Sequence, residues 1–339
     1  MGNLIQYEGS KRFLFSLCFM VLTFCYIGTS HADHVDQSFE NWIKNFKKIA
    51  LKNGITEKTY DDAFKNVHSP DPDVLKKANY QPEFTQKSKD YIGKRVNTNT
   101  IEKGAEKAKE WDKWLKIIEA RFGVPSTIVL AIWSMETNYG AIFDKPHILK
   151  DAIRSLATLA YSDSRYKKYG RTQLLAALNI LQKGKVKREN FIGSWAGALG
   201  HTQFIPTSYE LYGVDIDDSG HKDIWNSVPD ALGTAANLLK QNGWKNGLTW
   251  GYEVNLPSGP LPKGEKTFEE WKLLGVKRKD GKAFPDLTAK AKLKIINDGH
   301  DLAFLVTNNF SVIRCYNRSD LYALSVALLA DGIRERLEK

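Results

Sequence analysis

Glu136 is the only acidic or basic residue from position 124 to 143, and it follows an apolar run of Ile128, Val129, Leu130, Ala131, Ile132, Trp133 and Met135. A carboxyl on such a stretch is hard to solvate. Burial penalises its charged form and raises its pKa, and each unit of rise is worth roughly 1.4 kcal/mol. A carboxylic acid still protonated near neutrality can donate to a leaving oxygen. Taken alone, a Glu here also fits a last-turn surface group or the buried partner of an arginine. Thr137, Asn138, Tyr139 and Gly140 follow at once, a polar and aromatic group that ends a core helix at a surface or a cleft.

Asp215, Asp217, Ser219 and His221 alternate along a second stretch, with Gly220 at the sixth position, as in an EF-hand calcium loop. The twelfth position is Asn226 where such loops carry Glu, so a capped polar turn competes with a metal site. His-Glu-x-x-His, Cys-x-x-Cys, a nucleotide-binding glycine loop and a serine nucleophile elbow are all missing. No cofactor is therefore required, and calcium enters only as a structural ion.

These residues need elements to hold them. Phe39, Trp42, Ile43, Phe46, Ile49 and Ala50 recur at helical spacing, with Ser38 as N-cap and Gly54 as stop. Thr56 caps a second helix over 57–67. Prolines 70, 72 and 82 predict extended chain over 69–82, and helical pattern resumes from 85 to 122. From Pro125 the apolar helix runs to Gly140 and, being apolar all round, is buried. Helices follow at 152–161, 171–183, 228–242 and 320–338. Pro and Gly punctuation marks 250–313 as strand-bearing, with strands at 252–256, 303–306 and 310–313.

The expected class is α+β, mainly α. The divisions are 33–110 as an N-terminal helical subdomain, 111–249 as the catalytic core, 250–313 as a small β-containing insertion and 314–339 as the core's C-terminal part. Composition agrees: 42% of the 339 residues are hydrophobic and 26% charged, enough for a sizeable core.

Lys11 and Arg12 precede an apolar run from 13 to 28 that ends near Ser30 and Ala32, the pattern of a signal peptide over 1–32. The run is short for a membrane span and lacks a stop-transfer cluster, so no transmembrane anchor remains after cleavage. Phe24 before Cys25 is bulky where lipoprotein signals resemble a small residue, which argues against lipidation. Cys315 is then the one mature cysteine, read as a buried small hydrophobe. The net charge of +10 suits polyanionic partners. The basic residues are scattered without a nucleic-acid motif, so the anionic cell envelope fits better.

The segment at 133–140, Trp-Ser-Met-Glu-Thr-Asn-Tyr-Gly, resembles the catalytic segment of the lytic murein transglycosylases of the B type, a lysozyme-like group. Residues 193–209, 223–231 and 316–322 are similar to three further segments of that family, in the family's order. The resemblance implies a lysozyme-like core, Glu136 as catalytic acid/base, and a glycan cleft lined by Ser194, Gln203, Tyr316, Asn317 and Tyr322. It implies that a calcium loop would be closed by Asp230. His201 stands where the family varies and is read as a surface residue.

Glycosidases generally use two carboxylates. The resemblance implies that one suffices here, because the 6-hydroxyl of muramic acid attacks its own anomeric carbon and leaves a 1,6-anhydro end. The partner is then the peptidoglycan glycan strand, met in the periplasm by a monomer. Two alternatives stand: a hydrolytic muramidase using Asp144 or Asp151 as second carboxylate, and a non-catalytic peptidoglycan-binding module.

Overall fold

The computed structural model describes residues 36–79, 87–162, 165–184, 186–298 and 302–339. The expected signal peptide, its cleavage point, Cys18 and Cys25 lie outside the described residues. Helix α1 (Gln37–Lys52) starts at Asp36, whose carboxylate accepts the Ser38 and Phe39 amides, so the cap lies two residues before the expected Ser38. Thr56 caps α2 (Glu57–Phe64) as expected.

The stretch expected to be extended instead holds α3 (Pro72–Asn79). Proline is tolerated in a first helical turn because that turn's N–H groups have no intrahelical partner. Asp71 Oδ1 supplies the cap, accepting from the amides of Asp73 (2.9 Å) and Val74 (3.2 Å). The long helical pattern that follows is three helices, α4 (Ser88–Arg95), α5 (Thr98–Glu110) and α6 (Asp112–Phe122). Asn97 and Thr100 form a capping box that starts a fresh helix at that break.

Helix α7 (Ser126–Thr137) is the buried apolar helix. Leu130 and Ile132 are fully buried, each contributing roughly 1.5–3 kcal/mol by leaving water. Asn138 in the left-handed conformation ends α7, two residues before the expected Gly140. Beyond it come β1 (Lys150–Asp151), α8 (Ala152–Tyr161), α9 (Lys167–Gln182), β2 (Ile192–Gly193), α10 (Pro206–Tyr212) and α11 (Val228–Gln241). Strands β1 and β2 pair antiparallel, Lys150 opposite Gly193, and bridges from Gly193 to Leu199 and Leu199 to Phe204 extend this small sheet.

The larger sheet is antiparallel, ordered β4-β6-β7-β3-β5 from β3 (Gly251–Asn255), β4 (Glu265–Thr267), β5 (Lys277–Arg278), β6 (Lys290–Ile296) and β7 (Leu302–Val306). Leu305 faces Tyr252 on one side and Leu293 on the other. Phe268 and Trp271 of α12 (Phe268–Leu273) fill a small core with Val254 and Ala291. The expected strand at 310–313 belongs to α13 (Asn308–Tyr316), capped by the Thr307 side chain. A short apolar run fits either element, and the cap decides it.

Helix α14 (Asp320–Leu337) closes the chain against α5 and α7. The class is the expected one, mainly helical with a small antiparallel sheet. No helix among the described residues is long and apolar enough to cross a membrane.

Candidate active site

Glu136 occupies the last turn of α7 and is half-buried. The apolar run that makes α7 a core helix also strips water from this carboxyl. Desolvation raises its pKa from the ordinary 4.5 to about 7, opposed by one hydrogen bond, from Tyr322. The Tyr322 hydroxyl donates to Glu136 Oε1 at 2.5 Å. No second carboxylate is among the causes of this shift.

Tyr322 lies in the first turn of α14, where Ser319 caps the helix by accepting the Tyr322 amide. Its ring stacks on Tyr316, with centroids 6.4 Å apart and planes within 8°. Burial and the nearby Glu136 charge push both phenols well above the ordinary 10, so both stay protonated donors. Tyr316 spends its proton on Thr202 O at 2.5 Å and meets the edge of Phe204. Asn317 is exposed and turns its Oδ1 to the Ser319 amide at 3.1 Å.

The turn after Glu136 is strained. Asn138 and Tyr139 have φ of 51° and 58°, and Gly140 follows at 84°. A left-handed tyrosine costs roughly 1–2 kcal/mol. Its hydroxyl donates to Thr100 O (2.9 Å) and its ring meets the edge of Trp133, which hold it there. Thr137 ties this turn to the neighbouring loop, donating to His201 O at 2.6 Å and accepting the Gly140 amide at 3.1 Å.

That loop carries Ser194 and Gln203, both half-buried. Ser194 Oγ accepts the amides of Ala196 (3.3 Å) and Ala198 (3.1 Å), so it shapes its own turn. Gln203 is held at φ 50°, with Nε2 donating to Gly200 O at 2.9 Å. Two glycines of the loop are required by protein contacts. A Cβ at Gly193 would lie 2.2 Å from Ala198 O, and one at Gly200 2.4 Å from Ile224 O.

His201 is not the surface residue expected. Its ring packs on Phe143 with centroids 4.7 Å apart, its Nδ1 stands 3.3 Å from the Trp133 indole N–H, and burial lowers its pKa to about 4. A neutral ring accepts that N–H without cost. Cys315, expected to be buried, is exposed on α13 and donates to Ser311 O. A residue's neighbours in sequence do not reveal which helix face meets the core.

Asp144 is exposed. Asp151 caps α8 through Oδ1 and pairs with Arg188 at 2.7 Å through Oδ2. Asp215, Asp217 and Asp230 converge, each offering an oxygen within 4.8 Å of the others, while Ser219 and His221 are exposed and bond to each other, Ser219 Oγ donating to His221 O. Asp230 is fully buried, with Oδ1 accepting the Ile216 amide at 2.6 Å and Oδ2 the Asp223 amide at 2.9 Å. Sequence reasoning placed Thr137 in the polar turn after Glu136 but not its bond to His201 O, and it missed Tyr91 of α4, which lies close enough to Tyr322 to perturb it.

Residues 38–331 match the transglycosylase SLT domain family. Over 245 residues the chain is 28% identical to the membrane-bound lytic murein transglycosylase B of Escherichia coli (strain K12), covering 72% of this chain and 66% of that relative. The chain thus spans just under two thirds of that relative's length. It superposes on the crystal structure of SltB3 from Pseudomonas aeruginosa in complex with NAG-anhNAM-pentapeptide with a TM-score of 0.81 at 43% identity, covering 88% of this chain and 80% of that one. The fold is also that of the Escherichia coli lytic transglycosylase SLT35 in complex with calcium, at a TM-score of 0.73 and 24% identity, covering 89% and 94%.

Proposed function

The chain belongs to the transglycosylase SLT domain family, and from that premise we propose that it cleaves the MurNAc-β-1,4-GlcNAc bond of peptidoglycan without water, leaving a 1,6-anhydromuramoyl end. The observation that carries this reading is Glu136, a carboxyl whose pKa of about 7 keeps much of it protonated near neutrality and whose perturbers include no second carboxylate.

Glu136 gives its proton to the glycosidic oxygen as the bond to C1 breaks. The C6 hydroxyl of the same muramoyl residue then bonds to C1, and Glu136, now a carboxylate, takes the hydroxyl proton. Atoms balance with no water consumed. The intramolecular nucleophile supplies the effective concentration that a second protein group would otherwise supply. Tyr322, donating to Oε1, steadies the carboxylate between the two transfers. Ser194, Gln203, Tyr316 and Asn317 are the remaining walls of the glycan cleft, around the core at 111–249. NAG-anhNAM-pentapeptide, held by SltB3, is of the product class this reaction forms.

The hydrolytic alternative needs a free second carboxylate. Asp151 is committed to the α8 cap and Arg188, which leaves the exposed Asp144. Mass analysis of muropeptides released from purified sacculi tests the proposal. Anhydro ends, lighter by one water and without a reducing end, are expected; reducing ends would establish the muramidase.

The same reading places the mature chain in the periplasm as a non-lipidated monomer after loss of residues 1–32. Calcium fits as a structural ion, because Asp215, Asp217 and Asp230 are hard oxygen donors already converged. Asp230, closing the loop from α11, would tie the ion to the core.

A further inference from the structure

The β-containing insertion reaches two helices of the core from one end of strand β6. Lys294, on β6 and opposite Phe304 of β7, extends to the first turn of α14, where its Nζ pairs with Asp320 Oδ2 at 2.6 Å. Arg314 of α13 holds the other oxygen of Asp320 at 2.7 Å. Asp298, just past the end of β6, extends instead to the first turn of α4. Its carboxylate accepts the Ser88 amide and, at 3.0 Å, the Ser88 hydroxyl. Ser88 is fully buried, and Lys87 at the cap position makes no side-chain cap bond. Asp298 therefore supplies, from 210 positions away, the acceptor that a helix start usually takes from its own cap residue.

Those two first turns carry Tyr322 and Tyr91. Tyr322 follows Asp320 in α14 and donates to Glu136 Oε1 at 2.5 Å. Tyr91 follows Ser88 in α4, is buried, and has the Arg95 guanidinium 3.6 Å over its ring. Helices α4 and α14 pack against each other. Tyr322 is faced by Glu136 from α7, Tyr316 from α13 and Tyr91 from α4, none of them on the insertion. Lys294 and Asp298 thus bear on Glu136 through where they set the two helices. A partly exposed ion pair such as Lys294–Asp320 adds little stability. It does fix a position, and a hydrogen bond weakens steeply once its donor turns away.

We propose that Lys294 and Asp298 are positioning residues, which clamp the first turns of α14 and α4 and so hold the Tyr322 hydroxyl on Glu136. The catalytic consequence rests on the lytic reading of Glu136; the placement of Tyr322 does not.

The test is an NMR titration of the Glu136 carboxyl carbon, in full-length protein labelled at its glutamates, with the signal assigned by its loss in Glu136→Gln. The Tyr322 bond lowers the Glu136 pKa, so Lys294→Met and Asp298→Ala should each move the titration to higher pH. Lys294→Arg keeps the charge and Asp298→Asn keeps an acceptor, so both should stay near wild type. In a Tyr322→Phe background Lys294→Met and Asp298→Ala should add nothing, because effects that act through one bond do not add. On sacculi each of the two should lower kcat about three-fold with KM little changed, part of the roughly ten-fold expected when the bond itself is removed. Thermal melts identify any variant that fails to fold, and Lys294→Met, at a partly exposed side chain, carries the test if Asp298→Ala does. A titration that stays in place in folded Lys294→Met overturns the proposal, as does equal movement with and without the Tyr322 hydroxyl. A moved titration in a protein that releases no anhydro muropeptides keeps the clamp and sinks the lytic reading; release of anhydro muropeptides with an unmoved titration does the reverse.

Discussion

Glu136 and Tyr322 meet at 2.5 Å between the end of α7 and the start of α14, and the contact is one side of a closed circuit. Tyr322 stacks on Tyr316, Tyr316 holds Thr202 O, and Thr137, next to Glu136, holds His201 O. Two consecutive carbonyls of the loop before Gln203 are thus fixed by hydroxyls, that of Thr137 at the end of α7 and that of Tyr316 at the end of α13. The loop cannot shift without disturbing Glu136 or its phenol partner.

Replacing Glu136 by Gln should abolish glycan cleavage by at least about 100-fold, the lower scale of general acid catalysis, because the amide keeps the shape and loses the titrating proton. Stability carries an independent sign. The folded pKa of about 7 stands above the ordinary 4.5, so the carboxyl's contribution is whole below 4.5 and is lost as pH rises through about 7. Gln does not titrate. Melts of the two proteins from pH 4 to 8 should show Glu136→Gln gaining on wild type across that window, and a constant difference would contradict a desolvated Glu136.

Tyr322→Phe tests the partner. The Tyr322 bond lowers the Glu136 pKa against the larger desolvation effect, so its loss should move the alkaline limb of kcat/KM to higher pH. The rate should also fall roughly ten-fold, the scale of a charge-assisted hydrogen bond. A limb that stays in place, or moves to lower pH, would separate the phenol from the titration of Glu136.

The apolar helix and its one carboxyl were legible in the sequence because periodicity and charge are local properties. The position of Ser194 and Gln203 in one loop was legible only as family likeness. Thr137 was not, since nothing in a threonine's flanking residues says that its hydroxyl will span to His201 O, 64 positions away. His201 and Cys315 were misjudged for the same reason in opposite directions. At 310–313 the apolar run fitted strand or helix, and the Thr307 cap decided it. Pro72 looked like a breaker until Asp71 was seen to cap the turn it starts.

Thr137→Val keeps the volume and removes the hydroxyl. It leaves His201 O and the Gly140 amide without their 2.6 and 3.1 Å partners at a buried position, which costs about 1–3 kcal/mol. The melting temperature should fall by a few degrees. The strained Asn138–Gly140 turn loses a restraint, so kcat should fall more than KM rises. Wild-type stability in this variant would show that the circuit carries no load at Thr137.

Calcium should raise the melting temperature, since an ion that binds only the folded chain stabilises it by about 2.7 kcal/mol at a hundred times its Kd. The variant must be chosen with care. Asp230 holds backbone amides of Ile216 and Asp223 from full burial, so Asp230→Asn would damage the fold whether or not an ion binds. Asp217 is held low in pKa, chiefly by the Ser227 hydroxyl, and replacing it also breaks that contact at 2.6 Å. The Asp215 carboxylate accepts from the local amides of Ser219 and Gly220 and meets Asp217, so Asp215→Asn changes the charge of the site while leaving the core amides held by Asp230 in place. The rise between chelator and millimolar calcium should be present in wild type and lost in Asp215→Asn, with similar melts for both in chelator. A wild-type melt that ignores calcium would leave the three aspartates as caps of a polar turn, each already engaged by backbone amides.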